Sequence, residues 1–280
     1  MRLVTYSSDL GPRAGLLRED RVIDVWDSIG GGGSSVRDLL ASDRLDEAAE
    51  IGDSEGLALD DVELLPPVPD PDKIICIGLN YQPHADEAKM DPPAAPTFFA
   101  KFRNALAPPG AAVELPAASK KVDFEAEIAF VVGRRAKEVP ESEAADHVAG
   151  YTLLNDLSAR DLQFATPQWM PGKVFDGSAP CGPALVTPDE ALAGGAVSFS
   201  LTLNGEEMQA ATTADLLFSV EELVAHLSRL MTLEPGDIVA TGTPAGVGAG
   251  RTPPVFLRPG QVVRTAIEGL GELVNECVAG

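Results

Sequence analysis

The chain has 280 residues, 45% of them apolar, and 43 acidic against 21 basic side chains give a formal net charge of −22. That length suits one large domain, or a large domain with a small one, and the apolar share suits a packed core rather than disorder. A field of this sign repels nucleic acid and anionic membrane, and no run approaches the ~20 apolar residues needed to span a bilayer.

In chain order, residues 2–6, 14–17 and 21–25 read as short strands, separated by turn signals at 9–12 and at Glu19-Asp20. Residues 30–33 are all glycine, a flexible break, and Ser34 or Ser35 can cap a short helix over 36–40. A polar helix is expected over 44–50. Residues 65–72 carry prolines at 66, 67, 69 and 71, a stiff connector with no N–H at those positions. The reading places a domain boundary there, with a small N-terminal α+β unit over 1–70 and a larger domain over 71–280.

Strands dominate beyond it, at 73–77, 97–102, 125–132, 148–154, 197–203, 237–240, 262–267 and 271–274. Asn204-Gly205 is a two-residue hairpin turn. Ser219 and Glu222 have capping-box spacing, and Leu223, Val224, Leu227, Leu230 and Met231 repeat at helical intervals up to the Glu234-Pro235-Gly236 stop. Strands and helices do not alternate regularly. The expectation is therefore a β-rich α+β protein with a closed or sandwich-like domain, not a doubly wound sheet. Cys76, Cys181 and Cys277 form no Cys-x-x-Cys pair and no zinc spacing. They read as buried reduced thiols and, with no apolar signal core at the N-terminus, suggest a cytoplasmic protein.

The chemistry concentrates at Asp123-Phe124-Glu125-Ala126-Glu127-Ile128. A strand has a period of two, so Glu125 and Glu127 leave one face while Phe124, Ala126 and Ile128 enter a core. Adjacent like charges are unfavourable, and hard oxygen ligands suit Mg²⁺, Mn²⁺ or Ca²⁺ as the remedy. Asp156 is a candidate third ligand. The competing reading is a solvated acidic edge in a very acidic protein.

Pro83 can start a helix that puts His84 and Glu87 on one face, where a carboxylate would raise the basicity of the imidazole for general-base work. A surface histidine beside an acid is the plainer alternative, and His147 and His226 have weaker claims. Arg160 could bind a substrate carboxylate or simply pair with one of the acids. Lys173 could stabilise developing negative charge. The loop 241–248, TGTPAGVG, lacks both phosphate-loop signatures, which excludes nucleotide binding. It reads as a source of backbone donors for a carboxylate, with the Thr241 hydroxyl beside them.

The ordered set GLNYxxHAxE, DFEAEIAFVVG, NDLSARDLQ, GKVFDG and GDIVATGTPAGVG closely resembles the fumarylacetoacetate hydrolase family, over residue 73 to the C-terminus. The resemblance implies a mixed β-sandwich roll, usually homodimeric, with Mg²⁺ or Mn²⁺ on Glu125, Glu127 and Asp156. It implies a water-activating dyad of His84 and Glu87 on a lid, Lys173 at the reacting centre, and Arg160, Gln163, Thr241 and Tyr81 at the substrate. The pattern is that of the shorter acylpyruvate-hydrolase branch. It lacks a match for the extra carboxylate ligand of the animal enzyme. The implied reaction is hydrolysis of a C–C bond in a β-diketo acid, a small anionic keto acid, releasing pyruvate. Oxaloacetate decarboxylation and isomerisation or decarboxylation of a hydroxyheptadienedioate use the same enolate chemistry. A metal-stabilised binding protein without catalysis is the alternative from another class.

Overall fold

The apolar run after the acidic pair forms strand Ala126–Val132, and every residue in it is buried. Its even-numbered residues Ile128, Phe130 and Val132 join one apolar cluster with Phe199, Leu201, Leu223 and Leu227. Its odd-numbered Ala129 and Val131 join a second with Leu16, Ile74, Leu154 and Leu185. A strand covered on both faces reads as a continuous apolar run. Each fully buried large side chain there contributes about 2 kcal/mol.

The computed structural model describes residues 1–52, 55–267 and 270–280. Among them, one 12-stranded mixed sheet runs Leu57–Ala58, Arg21–Asp24, Gly11–Arg18, Arg2–Ser8, Ala179–Val186, Val148–Asn155, Ala126–Val132, Ile238–Ala240, Ile74–Gly78, Thr97–Lys101. Leu64–Leu65 pairs with Arg2–Ser8 and Leu106–Ala107 with Ala179–Val186. A second sheet of 5 strands runs Glu206–Thr212, Ser198–Leu203, Val262–Ile267, Gly271–Ala279, Val113–Leu115. Val122–Asp123 and Ser158–Ala159 form a short ribbon beside the acidic pair.

The protein is β-rich α+β, as the sequence indicates, but its sheets are open rather than closed. Among the described residues the N-terminal strands also have no sheet of their own. Arg2 pairs with Val186 and Leu3 with Leu185, so the large sheet continues into residues 1–24 without a break.

Local signals explain the helices and turns. Ser35 caps Val36–Ala41 in a capping box with Asp38. Ser219 and Glu222 do the same for Val220–Leu230, which buries Leu223, Val224 and Leu227. That helix ends before the expected glycine stop, because Met231 is already extended at φ −148° and ψ 158°. Asn204 and Gly205 both have positive φ, 52° and 84°, as a type I′ hairpin requires. Among the described residues no helix is long and apolar enough to cross a membrane.

Candidate active site

Three carboxylates meet where the large sheet's central strands end. Glu125 and Glu127 flank the start of Ala126–Val132. Asp156 directly follows the antiparallel partner Val148–Asn155, and its N–H donates to the Glu125 carbonyl at 2.8 Å. Oxygens of Glu125, Glu127 and Asp156 lie within 4.8 Å of one another, and all three residues are buried. The Asn155 Oδ1 accepts the Glu125 N–H at 3.0 Å, and Gln209 Oε1 accepts the Ala126 N–H at 2.9 Å. The backbone carrying the pair is therefore fixed from two sides.

Cations surround two of the three acids. Lys173 Nζ donates to Glu125 Oε2 at 2.7 Å and to Asp156 Oδ2 at 2.9 Å, and it lies 4.9 Å from the Phe99 ring centroid. Lys101 Nζ donates to Asp156 Oδ1 at 2.6 Å. Arg160 Nη1 lies 2.6 Å from Glu125 Oε1. Burial alone would push Glu125 up, but Lys173 and Arg160 override it and hold its carboxyl down at about 2. Glu127 goes the other way. Burial, then the Asp156 and Glu125 charges, push it well above the usual carboxylate range, and the Gly242 N–H at 2.8 Å offsets only part of this. Four buried acids, counting Asp123, thus face the three cations Lys101, Arg160 and Lys173. A closely spaced set of hard oxygens short of positive charge fits a divalent cation such as Mg²⁺ or Mn²⁺.

A cavity of about 290 Å³ opens over this group. Its polar wall includes His84, Glu87, Glu125, Glu127, Arg160, Gln163, Lys173 and Thr243, and its apolar wall Ile77, Leu79, Met90, Phe99, Phe164, Trp169 and Val247. Helix Gln82–Ala88, with Pro83 in its first turn, carries His84 and Glu87 into that wall. Nδ1 of His84 lies 3.4 Å from Glu87 Oε2.

The structure brings eight of the ten expected side chains together and leaves two aside. Tyr81 is buried in the first apolar cluster, edge-on to Phe199, and does not line the cavity. The Thr241 hydroxyl donates to the Ile128 carbonyl at 2.8 Å and is also absent from the wall. Thr243 takes its place there. Arg160 is partly committed to the protein, with Nε donating to Asp123 Oδ2 at 2.8 Å and Nη1 to Gln163 Oε1 at 2.9 Å, while its Nη2 makes no hydrogen bond among the described residues and the residue lines the cavity. The loop 241–248 does supply carboxylate donors, but to the protein's own acids. Gly242 donates to Glu127, Gly246 to Glu87, and Gly248 to Asp123. The sequence reading missed Lys101 and Asp123. Lys101 ends an aromatic strand and gives no local signal. Asp123 heads the acidic motif but shows its role only once Arg160 lies beside it.

The profile of the fumarylacetoacetate hydrolase C-terminal domain matches residues 73–278. The chain belongs to the fumarylacetoacetate hydrolase family. Among relatives in that family, a fumarylacetoacetate hydrolase domain-containing protein 2 homolog of Dictyostelium discoideum is 40% identical, over 98% of this chain and 96% of its own length. A mitochondrial oxaloacetate tautomerase of Xenopus laevis is 40% identical over 99% of this chain and 90% of its own. A solved maleylpyruvate hydrolase of a Sphingobium species, in complex with manganese(II) and pyruvate, superimposes with a TM-score of 0.82 at 30% identity, covering 100% of both chains. The family match begins beside the proline-rich connector, so residue 73 is a boundary of the match and not of the sheet.

Proposed function

We propose that this chain is a divalent-metal-dependent enzyme acting on a small anionic 2-oxo acid through its enol or enolate. One observation carries the reading: a histidine–carboxylate pair faces the same cavity as Glu125 and Glu127, whose oxygens gather with those of Asp156 just behind them. Glu125, Glu127 and Asp156 would hold Mg²⁺ or Mn²⁺. When bound, the ion would supply Lewis acidity toward the carboxylate and 2-oxo oxygens of the substrate. With Nδ1 turned to Glu87, the His84 Nε2 is left to take a proton and return it. Lys173 stays charged, since Asp156 and Glu125 outweigh the downward push of burial. It would stabilise negative charge on the enolate oxygen. Gln163 offers a neighbouring polar contact, and the apolar wall excludes water from the enolate.

The Xenopus laevis relative, matched over nearly its whole length, favours keto–enol tautomerisation of oxaloacetate or a near analogue, in which one proton leaves the enol oxygen and another is delivered to the carbon next to it. Hydrolysis of a C–C bond in an acylpyruvate-type acid is the second reading, favoured by the pyruvate-bound maleylpyruvate hydrolase. There His84 would activate water for attack on the distal carbonyl. The test is a panel of oxaloacetate, acylpyruvates and a hydroxyheptadienedioate, assayed with Mg²⁺ and Mn²⁺ and after chelation. Enol loss without pyruvate release supports the first reading, and stoichiometric pyruvate plus an acid supports the second. Tight binding with no turnover on any member would leave a binding protein. The homodimer remains part of the proposal, with light scattering in solution as its check.

A further inference from the structure

We propose that Gly250 is a positioning residue, the side-chain-free seat that holds Glu87 against His84 and latches the helix Gln82–Ala88 over the cavity. The proposal rests on the dyad reading above. The segment 246–250 reads GVGAG, and each of its glycines faces a different partner at close range. A methyl on Gly246, which has φ +103°, would strike the Met208 carbonyl. One on Gly248 would strike the Val255 carbonyl and come within 2.7 Å of Asp123 Oδ1. Both collisions are with rigid backbone, so these two glycines build the loop.

Gly250 differs. Its φ is not positive, and the three atoms nearest to where a methyl would sit belong to the Glu87 side chain, with Oε1 at 2.5 Å. The Glu87 carboxylate also accepts the Gly246 N–H, at 3.1 Å and 3.2 Å to its two oxygens. The loop therefore grips Glu87 from two points. It is itself tied down by Asp123, which accepts from Gly248 N at 2.7 Å and Ala249 N at 3.0 Å. Asp123 in turn holds Arg160, and Arg160 lies against Glu125. One hydrogen-bonded and ion-paired line thus runs from the helix bearing His84 to the carboxylate group. Gly250 is the point where it can be cut cheaply, because a flexible side chain can move aside while a backbone carbonyl cannot.

The test is a double-mutant cycle between Gly250→Ala and Glu87→Ala, on the Mn²⁺-loaded protein. Gly250→Ala is expected to lower kcat at least tenfold with Mn²⁺ affinity changed less than twofold. It should add nothing once Glu87 is already alanine. An equal loss in both backgrounds overturns the proposal, since a merely structural glycine would act regardless of Glu87. Amide hydrogen exchange gives a readout independent of turnover. Gly250→Ala should speed exchange in Gln82–Ala88 several-fold and leave Ala126–Val132 unchanged. Unchanged exchange in that helix also overturns the latch. Absence of turnover in the unsubstituted protein would sink the functional reading while the exchange result still judges Gly250.

Discussion

Asp24 and Glu127 are both carboxylates borne by strands of the large sheet, and their surroundings hold them in opposite ways. Asp24 accepts from Arg13 Nε at 2.7 Å, Arg13 Nη2 at 2.6 Å, the Tyr6 hydroxyl at 2.6 Å and the Asp27 N–H at 2.8 Å. Burial would raise it, but these partners win and hold it below the ordinary carboxylate range. Glu127 makes no ion pair among the described residues and sits beside two other acids. Every lone pair on Asp24 has a donor, so an added cation has nothing to do there. Glu127 is short of positive charge by construction. Matched acids belong to the architecture, and the unmatched one marks where chemistry is expected.

The sharpest way to break this contrast is Glu127→Gln. It should cost a thousandfold or more in turnover and most of the Mn²⁺ affinity seen by titration, with the metal-free melting temperature nearly unchanged, because glutamine keeps the volume and an oxygen to accept the Gly242 N–H. Equal Mn²⁺ affinity in Glu127→Gln and the unsubstituted protein would end the comparison. Lys101→Met comes next. It leaves Asp156 with less compensation in a buried site, and chemical denaturation should show a loss of about 3–5 kcal/mol. His84→Ala should lower turnover about a hundredfold and leave Mn²⁺ binding intact, which separates proton transfer from ion binding. Asp24→Asn should be the mildest, about 1 kcal/mol of stability with turnover unaffected. Because the folded pKa of Asp24 is depressed, its contribution is present above the unfolded value of about 3.9 and is lost as pH falls through the folded one. The stability gap between the two proteins should close in acid and reopen toward neutrality.

Short-range patterns carried most of what the sequence revealed. The capping boxes at Ser35 and Ser219, the Asn204-Gly205 turn and the period-two acidic pair each depend on neighbours a few residues away. What escaped was long-range. Strand Ala179–Val186 sits between Arg2–Ser8 and Val148–Asn155, yet Pro180 and Pro183 disguise it, because proline is rare inside sheets. The proline-rich connector suggested two bodies, whereas Arg2–Ser8 reaches across the chain to pair with Ala179–Val186. In the cavity, residue types were readable and their commitments were not. Thr241 and the glycine loop have the right chemistry for a ligand, but the Ile128 carbonyl and the protein's own acids had already claimed their donors, and Asp123 and Gln163 hold two of the three nitrogens of Arg160.

Strand Ala126–Val132 is enclosed on both sides, and this makes its alignment unforgiving. A slip of one residue would turn Glu127 into the space now filled by Ile128 and press the Phe130 ring into the face now packed around Ala129 and Val131. The spacing of the carboxylates is therefore decided while the chain folds, before any ion arrives. Stripping the ion with a chelator should leave a cup of unchanged shape, ready to refill, and any tuning of the reaction falls to the helix and loops at its rim.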